Sequence, residues 1–255
     1  MSKFLLSSIE QNLDNFYLKC SNHSNFESMD TNHLKWVRAH NADWPSCIFY
    51  ANFNDLDVDS EIKNLRSLIN SEKAPDGWTV GPLTKPKSLG KKLLKYGFSE
   101  VFHQAGMAID LLKIKLSPNI NSSLIVKKIE YKEKLDDWSQ VVSSVFHITV
   151  DKELLEYLLP QNEVKFYIGI HKKVCVSALL LYLIPRVAGL HAVSTLPNFR
   201  NQNFAFTLSE KALRDARDMG YKFGVLQASS MGQFVYKKLG FKKHCDIFTY
   251  ALNEE

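Results

Sequence analysis

Cysteine is scarce and scattered. The four among 255 residues, Cys20, Cys47, Cys175 and Cys245, form no C-x-x-C pair and have no histidine at ligand spacing. That pattern excludes a disulfide framework and a zinc ribbon. It reads as four reduced, mostly buried thiols in a cytoplasmic protein that needs no metal. Long apolar runs are lacking too. The longest, 174–184, is too short to span a bilayer and stops at Pro185-Arg186. The opening MSKFLLSSIEQ has an apolar run of only three residues, too short for the core of a secretion signal. No membrane segment is expected. Charge of one sign is also missing: the formal net charge is +5, which allows an anionic ligand without demanding nucleic acid.

What is present is an ordinary globular composition, 45% hydrophobic and 23% charged, long enough for one large domain or two small ones. The polar stretch 115–123, with Pro118 and no periodicity, reads as a linker. It divides the chain into 1–117 and 118–255. In the second half, 123–130 reads as a strand. Leu135, Trp138, Val142 and Val145 make one stripe of a helix over 132–146. A helical piece over 151–159 ends at Pro160. Strands follow over 165–170, 174–184 and 188–196, then a helix from about 203 to 219 stopped by Gly220. A strand at 221–228, a helix near 230–239 stopped by Gly240 and a last strand at 241–252 complete the series. This order predicts an α/β protein with a mixed sheet rather than a pure βαβ repeat.

The first half repeats part of this pattern. Gly97-Phe98 mirrors Gly240-Phe241 at a spacing of 143 residues, 240 minus 97. At that same spacing the strand-like 47–53 and 77–82 and the helical 59–69 fall on their counterparts. Four elements in one register point to an internal duplication.

Two stretches carry chemistry. Residues 196–205 leave a strand, turn and open a helix, whose free N–H groups and partial positive charge suit a pyrophosphate. The backbone must come close to the phosphates there, and Asn201 and Asn203 tolerate left-handed conformations. Arg200 adds a cation. Residues 226–241 again run strand, turn, helix, glycine, with Ser229 or Ser230 as the expected N-cap and Tyr236 able to leave the apolar face. Alone, the first stretch also reads as a plain strand-to-helix connection, and Tyr236 in the second as a packing residue.

Together the two stretches resemble the GNAT superfamily of acyltransferases across 120–255. The family's Gln/Arg-x-x-Gly-x-Gly/Ala motif is Arg200-Asn201-Gln202-Asn203-Phe204-Ala205 here, and its Tyr-x-Lys-x-Gly-Phe helix is Tyr236-Lys237-Lys238-Leu239-Gly240-Phe241. Two departures are plain: the central glycine is Asn203, and the asparagine that often opens the later helix is Ser229. The resemblance implies an N-acetyltransferase that takes acetyl-CoA or another acyl-CoA as cosubstrate and an amine as acceptor. CoA would lie between two splayed strands. Its pantetheine arm would pair near Val193, Ser194 and Thr195, and its pyrophosphate would sit on Arg200, Asn201, Gln202, Asn203, Phe204 and Ala205, with Ser229 nearby. Tyr236 would act as the acid and also touch the cofactor.

His191, expected on the same strand face as Val193 and Thr195, is the candidate base; a structural histidine is the bland alternative. His147, Asp151, Glu153 and Glu156 lie in the segment that, by the resemblance, shapes the acceptor pocket, and read as surface charges rather than as ligands. At the 143-residue spacing Arg200 faces Asp57, Asn203 faces Ser60 and Tyr236 faces Leu93. The first half is therefore expected to be a degenerate GNAT-like scaffold without a CoA site, since Asp55, Asp57, Asp59 and Glu61 repel phosphates. Two other readings stay open: an inactive acyl-CoA sensor, and a basic nucleic-acid or ribosome-associated binder built on 84–95. No RNA-binding aromatic signature accompanies that basic run. A monomer and a homodimer fit the sequence equally.

Overall fold

The computed structural model describes residues 2–114 and 123–253. The expected linker at 115–123 therefore lies almost wholly outside the described residues. The first half runs α1 (Ser2–Cys20), β1 (Phe26–Asp30), β2 (Leu34–Ala39), β3 (Cys47–Ala51), α2 (Val58–Asn70), β4 (Trp78–Val80), α3 (Leu89–Lys95) and β5 (Phe98–Asp110). The second runs β6 (Ile125–Lys128), α4 (Leu135–Phe146), α5 (Lys152–Leu158), β7 (Val164–His171), β8 (Val174–Ile184), β9 (Val187–Thr195), α6 (Phe204–Asp218), β10 (Phe223–Ala228), α7 (Gly232–Leu239) and β11 (Lys242–Leu252). The element order expected for the second half is the observed one.

All the strands share one sheet, ordered β1-β2-β3-β4-β11-β5-β10-β9-β8-β7-β6. Each half thus places its last strand against the other half. β5 runs antiparallel to β10, from Phe223↔Asp110 to Ala228↔Ala105, while β11 pairs with β4 at Phe248↔Val80. β5 and β11 pair with each other along the middle, with Ile247↔Gln104 near the centre. His103 and Asp246, 143 residues apart, meet there at 2.6 Å. The equivalent glycines Gly97 and Gly240 both take left-handed conformations, with φ of 85° and 98°, where a helix gives way to a strand. An approximate twofold relation between the halves accounts for both facts.

Alternation along the strands divides the core between the two faces of the sheet. In β8, Ala178, Leu180 and Tyr182 point toward α4 and α5, where Leu135, Trp138, Val142, Leu154 and Leu158 bury the stripe that the sequence lays out. Leu179, Leu181 and Leu183 point the other way, against Leu208, Ala212 and Ala216 of α6. Trp138 satisfies its buried indole by donating Nε1–H to the Leu179 carbonyl at 3.0 Å. Asp151 starts α5 by accepting from the amides of Glu153 and Leu154. All four cysteines are free, Cys20 and Cys47 buried and Cys175 and Cys245 half-buried. Among the described residues no helix is long and apolar enough to cross a membrane.

Candidate active site

β9 and β10 are parallel neighbours that pair only at Phe223↔Val187, Gly224↔Ala188 and Val225↔Gly189. Past those three positions both strands continue, β9 to Thr195 and β10 to Ala228, without pairing to each other. Two parallel strands that part in this way open a wedge in the sheet, with bare main-chain groups on its walls. A cavity of about 480 Å³ reaches into this wedge, bordered by the end of β9, the turn into α6 and the start of α7.

The turn supplies the cavity's polar floor. Asn201 and Asn203 have φ of 62° and 58°, left-handed conformations that asparagine tolerates better than most side chains. Asn203 precedes α6 and makes no side-chain capping bond, so the amides at the start of this 15-residue helix have no cap of their own. The helix dipole adds positive potential at the same point. Arg200 lines the cavity, its Nε–H donating to the Thr195 carbonyl at 3.3 Å. Thr195 is 8% exposed, and its hydroxyl faces no hydrogen-bond partner among the described residues. A buried hydroxyl on a cavity wall without a partner suits a polar ligand group.

Of the residues singled out from the sequence, Val193, Ser194, Thr195, Arg200, Asn201, Asn203, Phe204, Ala205, Ser229 and Tyr236 all border this cavity. Gln202 is exposed, does not border it and stands between the two left-handed asparagines. Ser229 does not cap α7 as expected. The helix begins at Gly232 with Met231 as its N-cap, although the Gly232 amide donates to Ser229 Oγ at 3.2 Å. Tyr236 is buried, with its ring edge-on to Phe241 at 5.7 Å, and burial pushes its phenol above the usual range.

His191 is a correction. It does not border the cavity and does not share a face with Val193. Ala192 has φ of 49°, and pairing with β8 jumps from Ala178↔Ser194 to Leu180↔His191. This bulge inserts a residue and reverses the alternation beyond it. His191 therefore turns toward α1. Its Nε2–H donates to Asn12 Oδ1 at 2.7 Å, and its ring stacks on Phe16 at 5.3 Å. Burial lowers its pKa to about 3, so the imidazole is neutral throughout the physiological range. The sequence carries no mark of such a bulge.

Sequence reasoning missed the apolar lip of the cavity. Phe146, Met231 and Phe234 stand there 46%, 62% and 71% exposed. Phe146 ends α4, and the chain then turns through His147, which is left-handed with φ of 56°. Asp151, Glu153 and Glu156 are engaged elsewhere, the first two with Asn25 and the last with Lys132.

Residues 131–241 match the family model described as Acetyltransferase (GNAT) family. These residues form a GNAT domain. Solved structures with the same fold extend the likeness to the whole chain. A GCN5-related N-acetyltransferase from Kribbella flavida aligns with a TM-score of 0.74 at 13% identity, over 97% of this chain and 96% of its own. A GCN5-related N-acetyltransferase from Sphaerobacter thermophilus aligns at 0.63 and 14% identity, over 96% and 89%. A functionally unknown conserved protein from Staphylococcus epidermidis gives 0.61 and 10%, over 91% and 96%. At these identities the likeness is one of fold. No curated protein matches the sequence. The matched residues thus run from α4 to α7, and acyl transfer is the general chemistry of that family.

The wedge in the first half is built differently. β3 and β4 pair only at Ile48↔Trp78, and the chains meet again at Asn52↔Lys85. Glu10 of α1 occupies this region. Its carboxylate accepts from the Leu83 amide at 2.7 Å, and a Cβ placed on Gly81 would fall 2.1 Å from Glu10 Oε1. Asp59 and Glu61 stand in the first turn of α2, and Leu93 occupies the position equivalent to Tyr236.

Proposed function

We propose that the protein moves an acetyl or other acyl group from acyl-CoA, bound as a substrate, to an amine that attacks the thioester directly. The observation that carries this reading is the parting of β9 from β10 beside the left-handed corner at 201–203. An anionic diphosphate suits the uncapped start of α6 and the Arg200 guanidinium. The pantetheine arm suits the bare main chain of Val193 to Thr195 as an added strand. In the transfer, a C–N bond forms, the C–S bond breaks, and the thiolate takes the Tyr236 proton while the new amide sheds one to water. The oxyanion takes an amide hydrogen bond from the wedge wall near Val193. Burial keeps the Tyr236 phenol in its protonated form, the form a proton donor to the thiolate requires. With His191 turned toward α1, the acceptor either enters neutral or loses its proton through water.

The first half, in this reading, binds no CoA and acts as a scaffold. Glu10 in its wedge and the carboxylates at the start of α2 oppose an anionic ligand. It also supports the loop after α4: the Asp43 amide donates to the Thr149 carbonyl at 3.0 Å, and the Thr149 amide donates to Asp43 Oδ2 at 2.6 Å. An inactive acyl-CoA sensor is the second reading, favoured by the absence of an imidazole or carboxylate from the cavity lining among the described residues.

Calorimetry with acetyl-CoA tests the binding site. One site per chain is expected, with Arg200→Glu at least about tenfold weaker, as loss of a charge-assisted contact requires. Equal affinity in the variant sinks the proposed pyrophosphate corner. Binding without turnover on a panel of primary amines selects the sensor.

A further inference from the structure

Helix α1 belongs to the first half by sequence, but it lies across the strands of the GNAT domain. It touches β8, β9 and β10 on the face of the sheet opposite α6. Ile9 and Asn12, one turn apart, are fully buried there. Asn12 donates Nδ2–H to the Tyr182 carbonyl of β8 at 3.1 Å and accepts from His191 of β9 at 2.7 Å. The Ile9 carbonyl accepts from Gln227 Nε2 of β10 at 2.7 Å. The helix is pressed hard against β9: a Cβ on Gly189 would lie 1.7 Å from Asn12 Oδ1.

The level of these contacts matters. Gly189 and Val225 are the last residues at which β9 and β10 pair with each other. His191 and Gln227 stand two residues beyond them, one on each limb of the wedge. One helical turn of α1 therefore holds both limbs where they have just lost their mutual hydrogen bonds. Away from the wedge, β10 leans on β5 and β9 on β8. Neither of those pairings fixes the distance between the limbs.

We infer that α1 is a positioning element of the acyl-CoA wedge, with Asn12 and the Ile9–Gln227 bond setting how far β9 and β10 part. The inference rests on the reading of that wedge as the acyl-CoA site. It gives His191 a place in the tie and the first half a direct bearing on the second half's chemistry. Gln227→Met keeps length and removes the donor; Asn12→Leu keeps bulk and removes both contacts.

Titration calorimetry with CoA separates positioning from mere destabilisation. A chain that is only less stable binds a smaller molar fraction of CoA with unchanged Kd. A wedge of altered width binds a full equivalent with weaker Kd. We expect Kd to rise about fivefold or more in Gln227→Met, the size of one lost hydrogen bond, with stoichiometry held near that of the wild type. The exposed-face variant Gln11→Ala should match the wild type. Should Asn12→Leu fail to fold, Gln227→Met, half-buried, still gives the answer. An unchanged Kd in folded Gln227→Met overturns the tie while leaving the acyl-CoA reading standing. A wild type that binds no CoA overturns both.

Discussion

At the scale of single residues, the proposed transfer asks one thing of Tyr236: a proton at the departing sulfur. Its phenol sits above the ordinary value of 10 because of burial, so no loss of the acid form is expected below about pH 10. Tyr236→Phe should lower turnover about 100-fold, the usual reach of a general acid, while CoA Kd from calorimetry stays within about twofold. Equal turnover in the variant removes the acid role. Glu10 makes a different prediction. Burial raises its carboxyl to about 7 from the ordinary 4.5. A raised carboxyl favours the folded state fully below about pH 4.5 and loses that advantage as pH rises through about 7. Glu10→Gln should therefore stabilise the protein at pH 8 by about 2–3 kcal/mol relative to its effect at pH 4, read from urea denaturation. His191 works in the opposite sense. Its pKa is depressed to about 3 from 6.5, so its contribution is complete above about pH 6.5 and is lost as pH falls toward 3.

At the scale of elements, the corner between β9 and α6 was legible in the sequence, and the strand leading into it was not. Asparagine at 201 and 203 marked sites able to take positive φ, and both take it. Nothing in AGLHAVST marks Ala192 as left-handed, because alanine has no preference for that conformation. Only pairing with β8 forces the bulge, and the bulge turns His191 away from Val193. The corner itself makes a graded prediction. Asn203→Gly keeps the positive φ and removes a side chain from the cavity wall, so CoA should bind a few-fold more tightly. Asn203→Ala should cost about 1 kcal/mol of stability from the left-handed backbone. A calorimetric Kd for the glycine variant equal to or weaker than wild type contradicts the expected crowding.

At the scale of the whole molecule, the two halves cannot be separated at the linker without breaking the sheet. β5 lies between β10 and β11, and it comes from the first half. A chain spanning only 123–253 keeps the whole matched family segment but leaves the inner edges of β10 and β11 unpaired. Met107 and Ala108, which cover those strands, go with the lost half. The excised chain should be aggregated or molten in circular dichroism and size-exclusion experiments, and adding residues 98–110 by a short connection should restore a cooperative thermal transition. A stable monomer from 123–253 alone contradicts the dependence.

By itself, the sequence determined the elements of the second half, the duplication at 143 residues and the left-handed corner at 201–203. All three depend on local signals: apolar periodicity, stop glycines and residues suited to positive φ. Tertiary structure alone decided the exchange of last strands, the bulge at Ala192, the seat of α1 across the wedge and the apolar lip of Phe146, Met231 and Phe234. Each of these depends on which segments meet in space, and a one-residue slip or a swapped partner leaves the local pattern of side chains unchanged.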